Sequence, residues 1–339
     1  MIAITERTGI ETLCRQSARA AIATCGAAWR LARAAVALVI GAAALGWAAT
    51  PAPALAQGQP VRVASKIDTE GALLGQLIVQ LLQAHGIATQ NRLSLGNTKI
   101  VRTALIAGEV DLYPEYTGNG AFFHADDKNA AWKDRQQGYA RIKALDQDKH
   151  RLVWLAPAPA NNTWAIAVRK DLAAAHQLHT LADLARFVGG GGRLKLAASA
   201  EFAERADALP AFQSAYGFKL AREQLLLLAG GDTAATLRAA AEQTSGVNAA
   251  MAYGTDGPVA ALGLLVLEDP KGVQPVYAPA PVVRAEVLAR EPRIATVLAP
   301  LFKLLDAPTL QRLNAQIALE GRDARQVARA FLEAQGLVK

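Results

Sequence analysis

Cysteine and aromatic residues are scarce in this chain of 339 residues. Its two cysteines, Cys14 and Cys25, both lie before Gln57, and the rest of the chain has none. This excludes a disulfide framework and a cysteine nucleophile for the remainder. Aromatic side chains make up only 6% of the residues. Each aromatic residue that the pattern places outside the core is therefore informative.

Charge is also sparse, at 19% of residues against 52% apolar, which predicts a globular chain with a core large enough for about two domains. The net charge is +7, and five arginines against Glu6 and Glu11 place three of these charges in the segment before Gln57. The excess of four that remains is not gathered into a Lys/Arg run. We therefore predict no nucleic-acid partner.

The segment from Met1 to Ala56 has the order of a secretory signal peptide. Arg15, Arg19, Arg30 and Arg33 precede an uncharged apolar run, and the segment ends in the small-residue sequence Ala54-Leu55-Ala56. The run from Ala34 to Ala49 is shorter than the roughly 20 residues of a spanning helix. We predict export to the periplasm and a mature chain that begins at Gln57. A retained signal anchor is the alternative.

Motifs of common enzymes are missing as well. The chain has no G-x-S-x-G, H-E-x-x-H or Walker sequence. His176 and His179 have helical spacing but lie in a polar segment without acidic neighbours, which favours a solvated helix end over a metal site. We therefore predict no catalysis, no metal and no cofactor. A hydrolase that uses Glu115 or Glu201 with Asp232 is a weaker alternative, because no activated nucleophile is visible.

Apolar periodicity from Val61 onward predicts alternating strands and helices, and thus an α/β fold with parallel or mixed sheets flanked by helices. Two prolines and two asparagines between Pro157 and Asn162 predict a crossing to a second domain. A helix-rich C-terminal segment predicts a return to the first. The predicted division is a first lobe of residues 57–161 and 255–339 and a second lobe of residues 162–254, with a cleft between them.

The stretch GEVDLYPEYTGNG, residues 108–120, combines strand and ligand-contact features. It predicts a short strand, Val110 to Tyr113, that stops at Pro114 because proline has no N–H for a sheet. A carboxylate, an aromatic ring and a hydroxyl group follow, at the end of a strand where α/β proteins bind ligands. A tyrosine that simply packs on the rim of the strand is the alternative.

Three aromatic residues, Tyr116, Trp164 and Tyr253, lie where a predicted strand meets a loop at the predicted cleft. Aromatic faces attract a cation without hydrogen bonds, as a quaternary ammonium group requires because it has no N–H. These residues therefore indicate a binding protein for such a cation. Packing of the same rings in the rim or core is the alternative.

Several motifs resemble one family in order and spacing: SKIDTEGALLG, LGNTKIVRTALIAGEVDLYPEYTGNG, PAPANNTWAIAV, ASAEFAERADALPAF, LAGGDTAAT and AMAYGTDGPVAALG. They are similar to substrate-binding proteins of osmoprotectant ABC importers for glycine betaine, choline and carnitine. The resemblance implies a two-lobed periplasmic binding protein of type II, a monomer that works with permease subunits. It implies an ammonium cage of Tyr116, Trp164 and Tyr253, carboxylate contacts from Lys66 and Arg205, and further ligand contacts from Thr117, Asn119 and Asp232.

Two positions depart from the family pattern. The segment from Gly230 to Thr236 has no aromatic residue and offers Asp232 instead, and Asn119 stands where the family has a hydroxyl. A missing aromatic wall predicts betaine binding weaker by about tenfold. An extracytoplasmic ligand sensor and a binder of a different small zwitterion are the alternatives to a transport role.

Overall fold

The structure is a computed structural model that describes residues 59–228 and 231–339. The predicted signal peptide, with Cys14 and Cys25, lies outside the described residues. So does Gly230 of the LAGGD motif.

The first sheet has five strands: β1 Val61–Lys66, β2 Thr89–Gly96, β3 Leu112–Tyr116, β4 Leu152–Trp154 and, from the C-terminal part of the chain, β10 Pro279–Arg284. Their order in the sheet is β2-β1-β3-β10-β4. Strands β1, β2 and β3 are parallel, whereas β10 runs antiparallel to β3 and β4. The sheet is therefore mixed, as predicted.

The second sheet also has five strands: β5 Trp164–Arg169, β6 Leu196–Ser199, β7 Leu225–Leu228, β8 Ala249–Tyr253 and β9 Leu264–Val266. Their order in the sheet is β7-β6-β8-β5-β9. Strand β6 is parallel to β7 and β8, and β5 is antiparallel to β8 and β9. This sheet is mixed as well.

Helices flank both sheets and begin where the sequence offers caps. Asp68 and Asn97 accept hydrogen bonds from backbone N–H groups in the first turns of their helices. The α-helices of the described residues are Thr69–Ala84, Thr98–Ala107, Asn119–Phe123, Arg135–His150, Lys170–His176, Leu181–Gly189, Ala200–Glu204, Leu209–Tyr216, Thr233–Ala241, Pro258–Ala261, Ala285–Arg290, Arg293–Lys303, Ala307–Ala318 and Ala324–Ala334.

The C-terminal helices pack on the first lobe, as the sequence predicts. The three helices between Arg293 and Ala334 contact the helix Thr69–Ala84 and share its apolar cluster. Side chains such as Leu77, Phe302 and Leu332 are almost completely buried there. The C-terminal segment therefore completes the core of the first lobe.

The two sheets are joined by two segments of the chain. One runs from β4 to β5 and contains the predicted crossing at Pro157–Asn162. The other lies between β9 and β10, because β9 pairs with β5 in the second sheet. The chain thus returns to the first sheet after Val266, later than the predicted boundary at residue 255. The predicted boundary was placed at the loop after Tyr253, but the helix Pro258–Ala261 and β9, which follow this loop, still belong to the second sheet.

Pro114 lies inside β3, so the prediction that the strand stops at this residue is wrong. Pro114 is opposite Pro281 of β10, and the antiparallel ladder uses the alternate positions instead. Thr117 N donates to Ala278 O, and Arg284 N donates to Asp111 O. The hydrogen bonds between these two strands therefore do not require an N–H from either proline, and β3 continues to Tyr116.

The sequence predicts a strand near Val276 and Tyr277, but β10 begins at Pro279. In the part of the chain that the structure describes, no helix has both the length and the apolar content of a membrane span.

Candidate functional site

A narrow cavity, part of it open to solvent, lies between the two sheets. The residues that line it are Lys66, Asp68, Asn97, Thr98, Tyr116, Asn119, Asn162, Trp164, Glu201, Gly231, Tyr253 and Tyr277. Five of the eight predicted ligand contacts are among them: Lys66, Tyr116, Asn119, Trp164 and Tyr253.

The topology explains why these residues meet. Lys66, Tyr116 and Tyr253 are the last residues of β1, β3 and β8. Trp164 is the first residue of β5, but β5 is antiparallel to β8 and its register places Trp164 opposite Tyr253. Tyr277 likewise precedes β10, whose first residue pairs with Tyr116. Antiparallel strands thus bring their amino ends to the edge where the parallel strands end.

Aromatic rings dominate one side of the cavity. The Trp164 ring meets Phe202 edge to face at 5.4 Å between centroids and lies 6.0 Å from the Tyr277 ring. Trp164 and Tyr116 are each 7% exposed, so their faces are nearly withdrawn from bulk water. Cation–π attraction is strongest in such a desolvated place. The cavity therefore provides faces for a cation from both lobes.

Lys66 is already paired within the protein. Its Nζ donates to Glu115 Oε1 at 2.6 Å and lies 4.6 Å from the centre of the Tyr116 ring. Glu115 is fully buried and also accepts from the Tyr113 hydroxyl, the Tyr116 backbone N–H and the Asn119 amide. Glu115 therefore holds β1, β3 and the following helix together.

Arg205 does not line this cavity and is held by acidic groups. Its guanidinium donates to both oxygens of Asp207, at 2.9 and 2.6 Å, and to Glu201 Oε1 at 2.9 Å. Burial lowers the pKa of Arg205, but the bonds to Asp207 and the nearby carboxylates raise it overall. A further bond, at 2.9 Å to Asn119 Oδ1, joins the two lobes. Arg205 thus lies behind Asn119 and Glu201, with its guanidinium 4.7 Å from the Trp164 ring centre.

Thr117 and Asp232, also predicted ligand contacts, are not among the lining residues. The Thr117 hydroxyl is buried, donates to Val276 O at 2.8 Å and accepts from Ala278 N at 3.1 Å. Asp232 caps the helix Thr233–Ala241 and accepts from the Thr69 hydroxyl at 3.0 Å. Both residues thus make contacts that hold backbone segments or lobes in place.

Seven lining residues were not predicted as ligand contacts: Asp68, Asn97, Thr98, Asn162, Glu201, Gly231 and Tyr277. Most of them follow a strand at its carboxyl end, so the rule that predicted Tyr116 could have found them. Asp68 and Glu201 add negative charge to the lining, where Lys66 is the single basic residue. The lining therefore suits a ligand with a positive group.

A buried carboxylate behind the cavity connects several segments. Glu70 accepts hydrogen bonds from the Tyr116 hydroxyl, the Asn162 amide and the Asn314 amide, all at 2.7–2.8 Å. These donors come from β3, the first crossing and a C-terminal helix. Glu70 therefore fixes the direction of the Tyr116 ring.

Two carboxyl groups near the cavity hold their protons unusually tightly. Burial raises the pKa of Asp68 to about 6, although Lys66 opposes the shift. Burial also raises the pKa of Asp256 to about 7, helped by Glu70 and Asp232 and opposed by hydrogen bonds from Tyr253 N and Thr233. Ionisation of either group therefore lowers the free energy of unfolding.

Asp256→Asn is expected to remove part of the pH dependence of stability. The folded chain binds this proton more tightly than the unfolded chain, so the wild type loses stability as the pH rises from about 4 to 7. Urea unfolding of both proteins at pH 5 and pH 7 measures the effect. The wild type should lose about 1–2 kcal/mol relative to the variant over this range. Parallel pH curves would contradict the assignment. The lowered pKa of His150 makes the folded chain more stable as the pH rises, but this effect is the same in the wild type and the variant.

Within residues 59–228 and 231–339, no group of three or more His, Cys, Asp or Glu side chains is placed to hold a metal ion. The site's chemistry instead consists of aromatic faces, paired charges and amides. Such a set can bind and orient a small ion.

Comparisons with known proteins agree over nearly all of the described chain. Residues 59–334 match the family described as the substrate binding domain of ABC-type glycine betaine transport systems. Glycine betaine-binding protein YehZ of Escherichia coli (strain K12) is 63% identical over 285 residues, which cover 84% of this chain and 93% of that protein. A glycine-betaine-binding protein of Pseudomonas aeruginosa is 33% identical and matches 85% of this chain and 91% of its own length.

Solved structures give the same result. The structure of apo YehZ from Escherichia coli, 64% identical, superposes with a TM-score of 0.62 and covers 83% of this chain and 100% of its own. A crystal structure named as a glycine betaine/carnitine/choline ABC transporter, 25% identical, gives a TM-score of 0.64 with coverage of 82% and 99%. The family match and these identities, together with the two mixed sheets, confirm the expected fold. The chain belongs to the family of substrate-binding domains of ABC-type glycine betaine transport systems.

Proposed function

We propose that this chain captures glycine betaine or a related quaternary ammonium solute and delivers it to the membrane subunits of an ABC importer. The observation that supports this most directly is the cavity between the two sheets, where Tyr116, Trp164 and Tyr253 come together. The names of the related proteins point to the same class of ligand.

In this proposal, the ammonium group of the solute lies against the aromatic faces of the cavity. Three rings supply attraction of about 0.5–2 kcal/mol each, without requiring a donor from the ligand. Asp68 adds a carboxylate to the same lining, and burial, together with this charge, raises the pKa values of the Tyr116 and Tyr253 hydroxyl groups. Its negative charge favours a cation once the cavity excludes water.

The acid end of a betaine meets a less favourable surface. Lys66 and Arg205, expected to hold the carboxylate, are each paired with acidic side chains. Their charge is therefore partly neutralised before a ligand arrives. Together with the missing aromatic residue near Asp232, this supports weak binding of glycine betaine.

The transport role rests on the family and on the leader. The segment before Gln57 has the composition of a signal peptide, which supports export and action in the periplasm. The chain binds its solute without chemical conversion, since the residues of the cavity suit recognition. Genes for ATPase and permease subunits beside its own would favour transport over a sensor role.

Titration calorimetry tests the ligand assignment. We expect heat with at least one of glycine betaine, choline, carnitine and proline betaine. We expect none with 3,3-dimethylbutanoate, in which a carbon atom replaces the nitrogen of glycine betaine and the positive charge is lost. No heat with any of the four ammonium compounds would refute the assignment. Equal binding of the carbon analogue would refute the role of cation–π attraction.

A further inference from the structure

Tyr277 is held at the cavity by its backbone. It lies in the segment that joins the second sheet to β10, two residues before that strand begins. Its N–H donates to Asn161 Oδ1 at 2.8 Å, and its carbonyl accepts from Asn162 N at 2.9 Å. The Thr117 hydroxyl binds the residues on either side of it, Val276 and Ala278. Both chain crossings and β3 thus fix this one residue.

The ring of Tyr277 is equally constrained. It lies 6.0 Å from the Trp164 ring, with 32° between the planes. A Cβ atom at Gly118 would come within 2.8 Å of the Tyr277 ring, so the ring occupies its place because residue 118 is glycine. The residue is only 4% exposed. Its side chain therefore has little freedom to find another position.

The hydroxyl group of this fixed side chain has no partner. Among the described residues, three buried side-chain polar atoms make no hydrogen bond: Gln274 Oε1, Tyr277 Oη and Asn314 Oδ1. Tyr277 is the member of this set that lines the cavity. Leaving a buried hydroxyl unpaired costs free energy, which is recovered when a ligand supplies the partner.

The surroundings of the hydroxyl make it a donor. Burial, with the carboxylates of Asp207 and Glu201 nearby, raises the pKa of Tyr277 and keeps the phenol protonated. The positive charge of Arg205, which is expected near the acid end of the ligand, lowers the pKa of Tyr277 and so opposes part of this shift. Its guanidinium already donates to Asp207, Glu201 and Asn119. The phenol therefore offers an uncommitted O–H in the lining of the cavity, whereas the donors of the arginine are already in use.

We propose that Tyr277 is a specificity-determining residue whose hydroxyl donates a hydrogen bond to the carboxylate of the bound solute, while its ring adds an aromatic face beside Trp164. This inference rests on the proposed function and extends it to the polar end of the ligand. It gives the site a fourth aromatic residue from the second crossing, in place of the one that is missing near Asp232.

Tyr277→Phe removes the hydroxyl and keeps the ring. We expect the affinity for glycine betaine, measured by calorimetry, to fall about tenfold, because a hydrogen bond to a charged group is lost. In the absence of ligand, the melting temperature should stay the same or rise by about 1–3 °C, because the variant no longer buries an unpaired hydroxyl. A group with only a structural role would give the opposite pair of results.

Tyr216→Phe is the matched control. Its hydroxyl binds Asp269 and accepts from Lys271 N in the second lobe. This variant should melt lower and bind glycine betaine with unchanged affinity. If Tyr277→Phe binds glycine betaine within twofold of the wild type, or melts lower without ligand, the inference is wrong. If the wild type itself binds none of the ammonium compounds, the proposed function fails and the inference fails with it.

Discussion

Glu115→Gln is expected to lower the free energy of unfolding by about 3–5 kcal/mol, because it removes the carboxylate that is hydrogen-bonded to the buried ammonium of Lys66. The Lys66 side chain is 8% exposed and that of Glu115 is fully buried, so water replaces the lost partner only in small part. The change also weakens the acceptor for the Tyr113 hydroxyl, which donates to Glu115 Oε2 at 2.8 Å. Urea unfolding at pH 7 measures the loss.

The double variant Lys66→Met with Glu115→Gln separates the lost ion pair from lost packing. Removing the charge of Lys66 as well should recover at least half of the stability, because the main penalty is the unpaired ammonium. If the double variant is as unstable as the sum of the single variants, the two side chains are not coupled. The buried pair would then not be what joins β1 to β3.

The elements that depend on near neighbours could be predicted from the sequence. Apolar residues at helical spacing from Leu73 to Leu82 predicted the first helix, and the stretch Gly96-Asn97-Thr98 was predicted to hold the cap of the next one. Even here the cap of the first helix is Asp68, one residue before the predicted Thr69. These features are local because a helix is determined largely by residues within a turn or two of each other.

The elements that depend on a distant strand could not be predicted. A rule for isolated strands ended β3 at Pro114, whereas the register with Pro281 tolerates both prolines. The sequence also predicted a strand near Val276 and Tyr277, whereas β10, with its two prolines, begins at Pro279. The return of the chain after β9 depends on pairing with β5, a strand from much earlier in the chain. Register is a property of the pair, and one sequence segment does not contain it.

The candidate site divides in the same way. The ends of predicted strands pointed to Tyr116, Trp164 and Tyr253, the family resemblance pointed to Lys66, and all four line the cavity. The hydrogen bonds of the residues around them could not be predicted, because the two partners of each bond lie far apart in the sequence. Glu70 binds Asn314, 244 residues away, and the Asp232 carboxylate binds Thr69, 163 residues away. Tyr277 was missed because the sequence predicted it within a strand, whereas it precedes β10, whose antiparallel pairing with β3 brings it to the cavity.

Trp164→Leu is expected to weaken the binding of every quaternary ammonium ligand by about tenfold to thirtyfold, since leucine fills apolar space but offers no π face to a cation. Trp164 is the aromatic residue that β5 contributes to the cavity, opposite Tyr253. Its ring also aligns Tyr277 and contacts Phe202, so some stability is lost with it. Calorimetry with glycine betaine, well below the melting temperature of the variant, measures the binding effect separately.

Trp132→Leu controls for the general cost of removing a tryptophan. Trp132 is 1% exposed in the core of the first lobe and does not line the cavity. Its replacement should lower the melting temperature at least as much as Trp164→Leu and leave the affinity of the folded protein unchanged. Equal affinities in both variants would mean that the ligand does not use the Trp164 face. A loss with Trp164→Leu alone would place the ammonium group between the two lobes, where binding can hold them together.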